Sequence, residues 1–166
     1  MVKGDAMFRY LLAVMTLLVG LPVFTSAQCR TTHPPNPQFV PPKPYPQDAP
    51  SGTFWYGTES LRTGLSADGE WGGLHNDKGY RQKVFFWTKG YDARREPKPK
   101  LTITGRRLDA DSPSIEVADA DNAFVGSNTK LPPAMVTAFE IPTAGCWELT
   151  AHYGGRTLTF IVSVKP

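Results

Sequence analysis

The sequence predicts an all-β protein, an immunoglobulin-like antiparallel β-sandwich, on three observations. Short apolar runs alternate with period two, Gly- and Pro-rich turns separate them, and no segment sustains a helical period. The last two runs, on either side of Gly154-Gly155, form a hairpin of their own.

The chain opens with a segment that does not belong to that fold. Lys3 and Arg9 form a basic start, Tyr10 to Phe24 is almost wholly apolar, and Thr25-Ser26-Ala27 supplies small residues with the cut after Ala27. Residues 1–27 therefore read as a signal peptide, and the protein as exported: periplasmic, secreted or held in the cell envelope. An uncleaved anchor is the alternative, and Pro22 with the small residues behind it favours cleavage. Residues 28–50 follow. Thr31 to Pro50 holds eight of the chain's 16 prolines. Proline fixes φ and removes a donor, so this stretch reads as a disordered or polyproline II spacer, its last few residues free to lie along the domain. The folded domain is expected over 51–166.

Within it the strands come in order. Thr53-Phe54-Trp55-Tyr56 opens the domain. A stretch rich in Gly, Asp and Asn (Asp68 to Gly79) reads as a loop before RQKVFFWT, Arg81 to Thr88. There Val84 and Phe86 point one way and Phe85 and Trp87 the other, so the strand is either covered on both faces or has one face bound to something. Leu101 to Thr104 follows REPKPK, weaker strands are expected at Ile115–Val117 and Asn122–Val125, and Met135 to Ile141 leads into the final hairpin. That hairpin turns on two glycines, which tolerate the positive φ of a primed turn. The turn sets the register: Tyr153 opposite Arg156, Ala151 opposite Leu158, Leu149 opposite Phe160 and Trp147 opposite Val162. Every apolar residue of one strand's inner face thus meets an apolar partner, except Tyr153 at the turn.

The outer face of the same strand carries Cys146, Glu148 and His152. Residues six apart in a strand lie about 20 Å apart, so Cys146 and His152 cannot share a ligand. The chain's two cysteines, Cys29 and Cys146, admit three readings. Cys29 is the lipid-bearing first residue of a lipoprotein, or it pairs with Cys146 in a disulfide, or the two remain apart. Ser26-Ala27-Gln28 does not favour lipidation, having no Leu three residues before the Cys.

Of 18 Lys and Arg and 15 Asp and Glu, removal of Lys3, Arg9 and Asp5 leaves 16 against 14, a balance that implies no nucleic-acid role. The charges are segregated along the chain: ten basic residues from Lys78 to Arg107, then acids from Asp109 to Asp121. A solvated surface with internal ion pairs accounts for them, and an anionic envelope polymer is the alternative. The acidic stretch lacks the loop pattern of an EF-hand, and Gly-rich phosphate loops, GxSxG, HExxH and CxxC are missing. The sequence thus designates no catalytic residue, metal or cofactor. The aromatic surplus and the basic block mark Trp55, Trp71, Trp87, Tyr91, Arg94 and Arg95 as candidate binding residues, because aromatic faces stack on sugars or peptides and Arg grips anions.

Two long motifs, RQKVFFWTKGYDARREPKPKLTITGRRLD and GCWELTAHYGGRTLTFIVSV, resemble a group of uncharacterised exported bacterial proteins. These share a QK-aromatic strand, a GYD turn, an EPxPxLTxTGxRLD run and a GCWExT strand, and the resemblance spans roughly Phe54 to Val164. It implies a secreted immunoglobulin-like domain and assigns no activity. The expected function is an exported, non-catalytic binding module for an envelope polymer or protein. A membrane-tethered structural lipoprotein is the alternative, a hydrolase a more distant one. Membrane contact is expected only through a lipidated Cys29 or an uncleaved signal.

Overall fold

The computed structural model describes residues 28–123 and 132–166; the expected signal peptide and Val125 lie outside them. Eleven strands run through the described residues: β1 (Thr53–Gly57), β2 (Arg62–Ser66), β3 (Glu70–Trp71), β4 (Leu74–Asn76), β5 (Gly79–Trp87), β6 (Thr102–Arg107), β7 (Ile115–Val117), β8 (Ala120–Ala123), β9 (Ala134–Ile141), β10 (Gly145–Tyr153) and β11 (Arg156–Val164). One sheet has the order β1-β2-β5-β9-β8 with β4 also on β5, the other β3-β11-β10-β6-β7. Among the described residues only β3 and β11 pair in parallel. The fold is a β-sandwich. Its sheets hold six and five strands, where the seven-stranded immunoglobulin arrangement has four and three.

The core follows from β10 and β11. Gly154 and Gly155 take φ of 55° and 74°, the two positive values a primed turn needs. Trp147 then stands opposite Val162, Leu149 opposite Phe160 and Ala151 opposite Leu158. All six are buried in one cluster with Phe54, Val84, Phe86 and Phe139 of the facing sheet. Each large side chain so buried stabilises the fold by roughly 1.5–3 kcal/mol. The Trp147 indole N–H, which burial would otherwise strand, donates to the Thr143 carbonyl at 2.9 Å.

Three strands lie where the sequence shows no alternation. Gly64 interrupts the pattern of β2, and β3 and β4 are two and three residues long inside the Gly-rich stretch expected to be a loop. After β2 the chain crosses to the second sheet for β3, then returns to the first for β4.

Residues 28–50 are not a free spacer. Cys29 is joined to Cys146 by a disulfide. Thr32 then bonds both backbone groups of Ile161: its N–H donates to the Ile161 carbonyl at 2.8 Å, and its Oγ1 accepts from the Ile161 N–H at 2.8 Å. Thr31 passes so close over Gly69 that a Cβ there would lie 2.2 Å from its hydroxyl. Further on, Phe39, Tyr45 and Ala49 pack on Trp55, Trp87 and Ala134. The segment is a strap that starts beside the second sheet and ends on the outer face of the first. The prolines explain why it lacks regular pairing; the apolar residues between them explain why it adheres.

The disulfide closes a loop with a sequence separation of 117. In the chain-entropy account such a cross-link is worth about 4–5 kcal/mol, through the unfolded state. Urea unfolding with and without a thiol reductant should therefore show a large drop in midpoint on reduction, and the Cys29→Ser variant should match the reduced protein. Equal midpoints would mean the strap is held without the bond.

Candidate functional site

The two-faced strand β5 organises the site. Val84 and Phe86 enter the core, while Phe85 and Trp87 face outward under the strap. Trp55 from β1 meets Trp87 edge-on, with ring centroids 5.1 Å apart, and Phe85 stacks near Trp87 at 6.3 Å. The Trp87 indole donates to the Pro132 carbonyl at 3.2 Å. The Trp55 indole N–H is buried and has no partner among the described residues.

Beside these rings the sheet forks. β2 pairs with β5 only through Arg62 with Trp87 and Thr63 with Phe86. β4 takes up β5 again at Arg81, Tyr80 and Gly79. Between them, Gln82 to Phe85 has β9 on one side and, among the described residues, no strand on the other. The Thr63 hydroxyl donates to the Phe85 carbonyl at 2.8 Å, so the Phe85 backbone groups face the fork. Strand alternation turns those of Lys83 the same way. A cleft of about 310 Å³ occupies the fork. Trp55, Trp71, Phe85 and Trp87 line it, with Gly64, Gln82 and Lys83. Gly64 stands opposite Trp55, and its lack of a side chain keeps the space open: a Cβ there would meet nothing nearer than Thr53 Oγ1 at 3.9 Å. The Gln82 side-chain amide is a second buried donor without a partner among the described residues.

Arg62 lies next to this site, fully buried. Its guanidinium sits 3.7 Å from the centre of the Tyr45 ring, and Nη1 donates to the Glu59 carbonyl at 3.3 Å. Burial pushes its pKa down, and Tyr45 and Glu59 work against that. Its Nε and Nη2 have no partner among the described residues.

The residues singled out from sequence divide into two groups. Trp55, Trp71 and Trp87 line the cleft. Trp71 comes from the other sheet, where it packs on Phe160 with ring centroids 5.8 Å apart. Tyr91, Arg94 and Arg95 lie in the turn after β5 and do not line it. Tyr91 packs edge-on against Tyr153 at 6.3 Å, Arg94 is exposed, and Arg95 pairs with Asp92 at 3.4 Å. Gly64, Gln82 and Lys83 were missed: an outward-facing glycine carries no signal until its neighbours are known. The basic block pairs largely with nearby acids, among them Lys98 with Asp121 at 2.5 Å, Arg106 with Glu148 at 2.7 Å and Arg107 with Asp109 at 2.6 Å.

No family model and no curated protein matches the chain. A solved crystal structure described as "a Putative Lipoprotein from Bacillus anthracis" is similar at 12% identity and a TM-score of 0.34, covering 73% of this chain and 84% of that one. Among the described residues no helix is long and apolar enough to cross a membrane.

Two predictions follow from this geometry. In the free protein the Lys83 and Phe85 amides, which face the fork, should exchange with solvent faster than the Val84 amide, which faces β9. Comparable protection of all three, read by NMR hydrogen exchange, would mean that the fork is closed in solution. The second concerns Tyr91 and Tyr153. Burial, then the bond from Tyr153 to Glu96 at 2.5 Å and the charge of Glu96, raise the Tyr153 pKa; burial, then Glu96, raise that of Tyr91. The native state keeps protons that the unfolded chain loses above about pH 10. Stability should be complete below that pH and fall above it, and Tyr153→Phe should flatten the fall in urea midpoint.

Proposed function

We propose that the protein is an exported, non-catalytic binding module of the bacterial cell envelope that takes its ligand in the cleft between Trp55, Trp71 and Trp87. The observation that carries this reading is an open, aromatic-walled cleft lined by two residues with buried donors that have no partner among the described residues, Trp55 Nε1 and Gln82 Nε2. A buried donor without a partner costs about 1–3 kcal/mol, and a ligand oxygen recovers that cost. Aromatic faces supply large contact area with little entropy loss. The Cys29–Cys146 bond supports export, since disulfides persist in oxidising compartments.

The tethered alternative needs the Cys29 sulfur as a lipid thioether, and that sulfur is bonded to Cys146 here. The disulfide therefore supports the untethered form.

The test uses Gly64→Leu, which fills the cleft from a position where a Cβ has room. Wild-type protein should be retained on envelope fractions of its host, and Gly64→Leu at least tenfold less, with an unfolding free energy from urea titration within about 0.5 kcal/mol of wild type. Equal retention of the two proteins removes the cleft from function. Acyl mass on Cys29 in protein from the host would replace this reading with the tethered one.

A further inference from the structure

We infer that the cleft recognises a short extended peptide segment by strand addition to β5, an inference that rests on the binding reading above. The Lys83 N–H and C=O and the Phe85 N–H face the fork, and no strand pairs with them there among the described residues. That set matches what one strand offers another. A residue opposite Lys83 gives its N–H to the Lys83 carbonyl and its C=O to the Lys83 N–H, and a neighbouring carbonyl accepts from Phe85. A strand edge left open inside a sheet is otherwise an unsatisfied row of polar groups.

The walls specify the side chains. The open stretch from Gln82 to Phe85 corresponds to about 13 Å of extended chain, three or four residues. Side chains alternate across a strand, so one of them points to the outer face, meets the Trp55 and Phe85 rings and is apolar or aromatic, while its neighbours point inward toward Trp71 and Gln82. Trp55 Nε1 and Gln82 Nε2 take acceptors. Lys83 is exposed, has no carboxylate within ion-pair distance among the described residues, and lies with Nζ 5.4 Å from the centre of the Phe85 ring. It favours a ligand carboxylate, from an Asp or Glu side chain or a free C-terminus. The ligand is thus an apolar, acid-flanked stretch of a partner protein. A glycan offers rings and hydroxyls but no alternating donor and acceptor line for β5.

The experiment pans a random seven-residue peptide display library on the full oxidised chain and on Gly64→Leu. Sequences selective for wild type should carry one large apolar residue beside Asp, Glu or the C-terminus. A synthetic peptide of that consensus should slow exchange of the Lys83 and Phe85 amides at least tenfold, and N-methylation of its pairing amide should weaken binding about tenfold. Lys83→Glu, at an exposed position that leaves folding intact, should reverse the preference for acidic peptides. Peptides that bind Gly64→Leu equally well, or that leave those two amides unprotected, overturn the inference. If envelope glycan fragments, and not peptides, bind wild type and lose Gly64→Leu, strand addition is wrong while the binding function stands. If envelope fractions also bind both proteins equally, the function falls with it.

Discussion

Everything in this molecule turns on β5 being apolar on both faces. Its inner residues, Val84 and Phe86, are answered by the second sheet, and the β10–β11 hairpin supplies that answer. Its outer residues, Phe85 and Trp87, need a third layer, and no strand is available for one. The strap provides it with Phe39, Tyr45 and Ala49. A chain of 23 residues that forms no sheet is costly to order at roughly 1–2 kcal/mol per residue of backbone. Proline lowers that cost, because φ is already restricted in the unfolded chain. The disulfide and the paired bonds of Thr32 with Ile161 anchor one end, and Tyr45 anchors the other by donating to the Thr88 carbonyl at 3.1 Å.

The same strand creates the site. Two partners share one edge of β5, and they do not meet. β2 leaves after Thr63 because the chain must reach the second sheet, where β3 pairs with β11. β4 returns too late to cover Gln82 to Phe85. The fork is therefore a consequence of the crossover, and Gly64 prevents a side chain from filling it. Around it lie buried polar atoms of Trp55, Arg62 and Gln82 that have no hydrogen-bond partner among the described residues.

How much of this could be read beforehand depends on the range of the interaction. The hairpin was fully legible, because Gly154-Gly155 and the alternation on either side are local and agree. So was the double-faced character of RQKVFFWT, and with it the choice between a cover and a bound face. The cover itself was half legible: apolar residues are visible between the prolines, but their docking depends on a surface made by β1, β5 and β9. The cleft was least legible. Trp55, Gly64, Trp71 and Lys83 come from four strands in two sheets, and two of those strands, β2 and β3, lack alternation. Tyr91, Arg94 and Arg95 shared composition with the site and not its place, since the turn after β5 carries them away from the fork.

The charges bear on the kind of recognition proposed for this surface. The basic block finds its acids in several elements: Arg106 on β6 meets Glu148 on β10, Arg81 on β5 meets Glu140 on β9, and Lys98 meets Asp121 on β8. Exposed pairs of this kind contribute about 0–1 kcal/mol each, so they add little stability. Their larger effect is to cancel the field that a polyanion would need. With that attraction reduced, the binding proposed here rests on contact: apolar area, a few placed donors and the backbone of β5. Lys83 is one of four block cations, with Lys78, Arg94 and Lys100, that have no carboxylate partner among the described residues, and it is the one that lines the cleft. It gives direction to a ligand that the aromatic walls and the open strand hold.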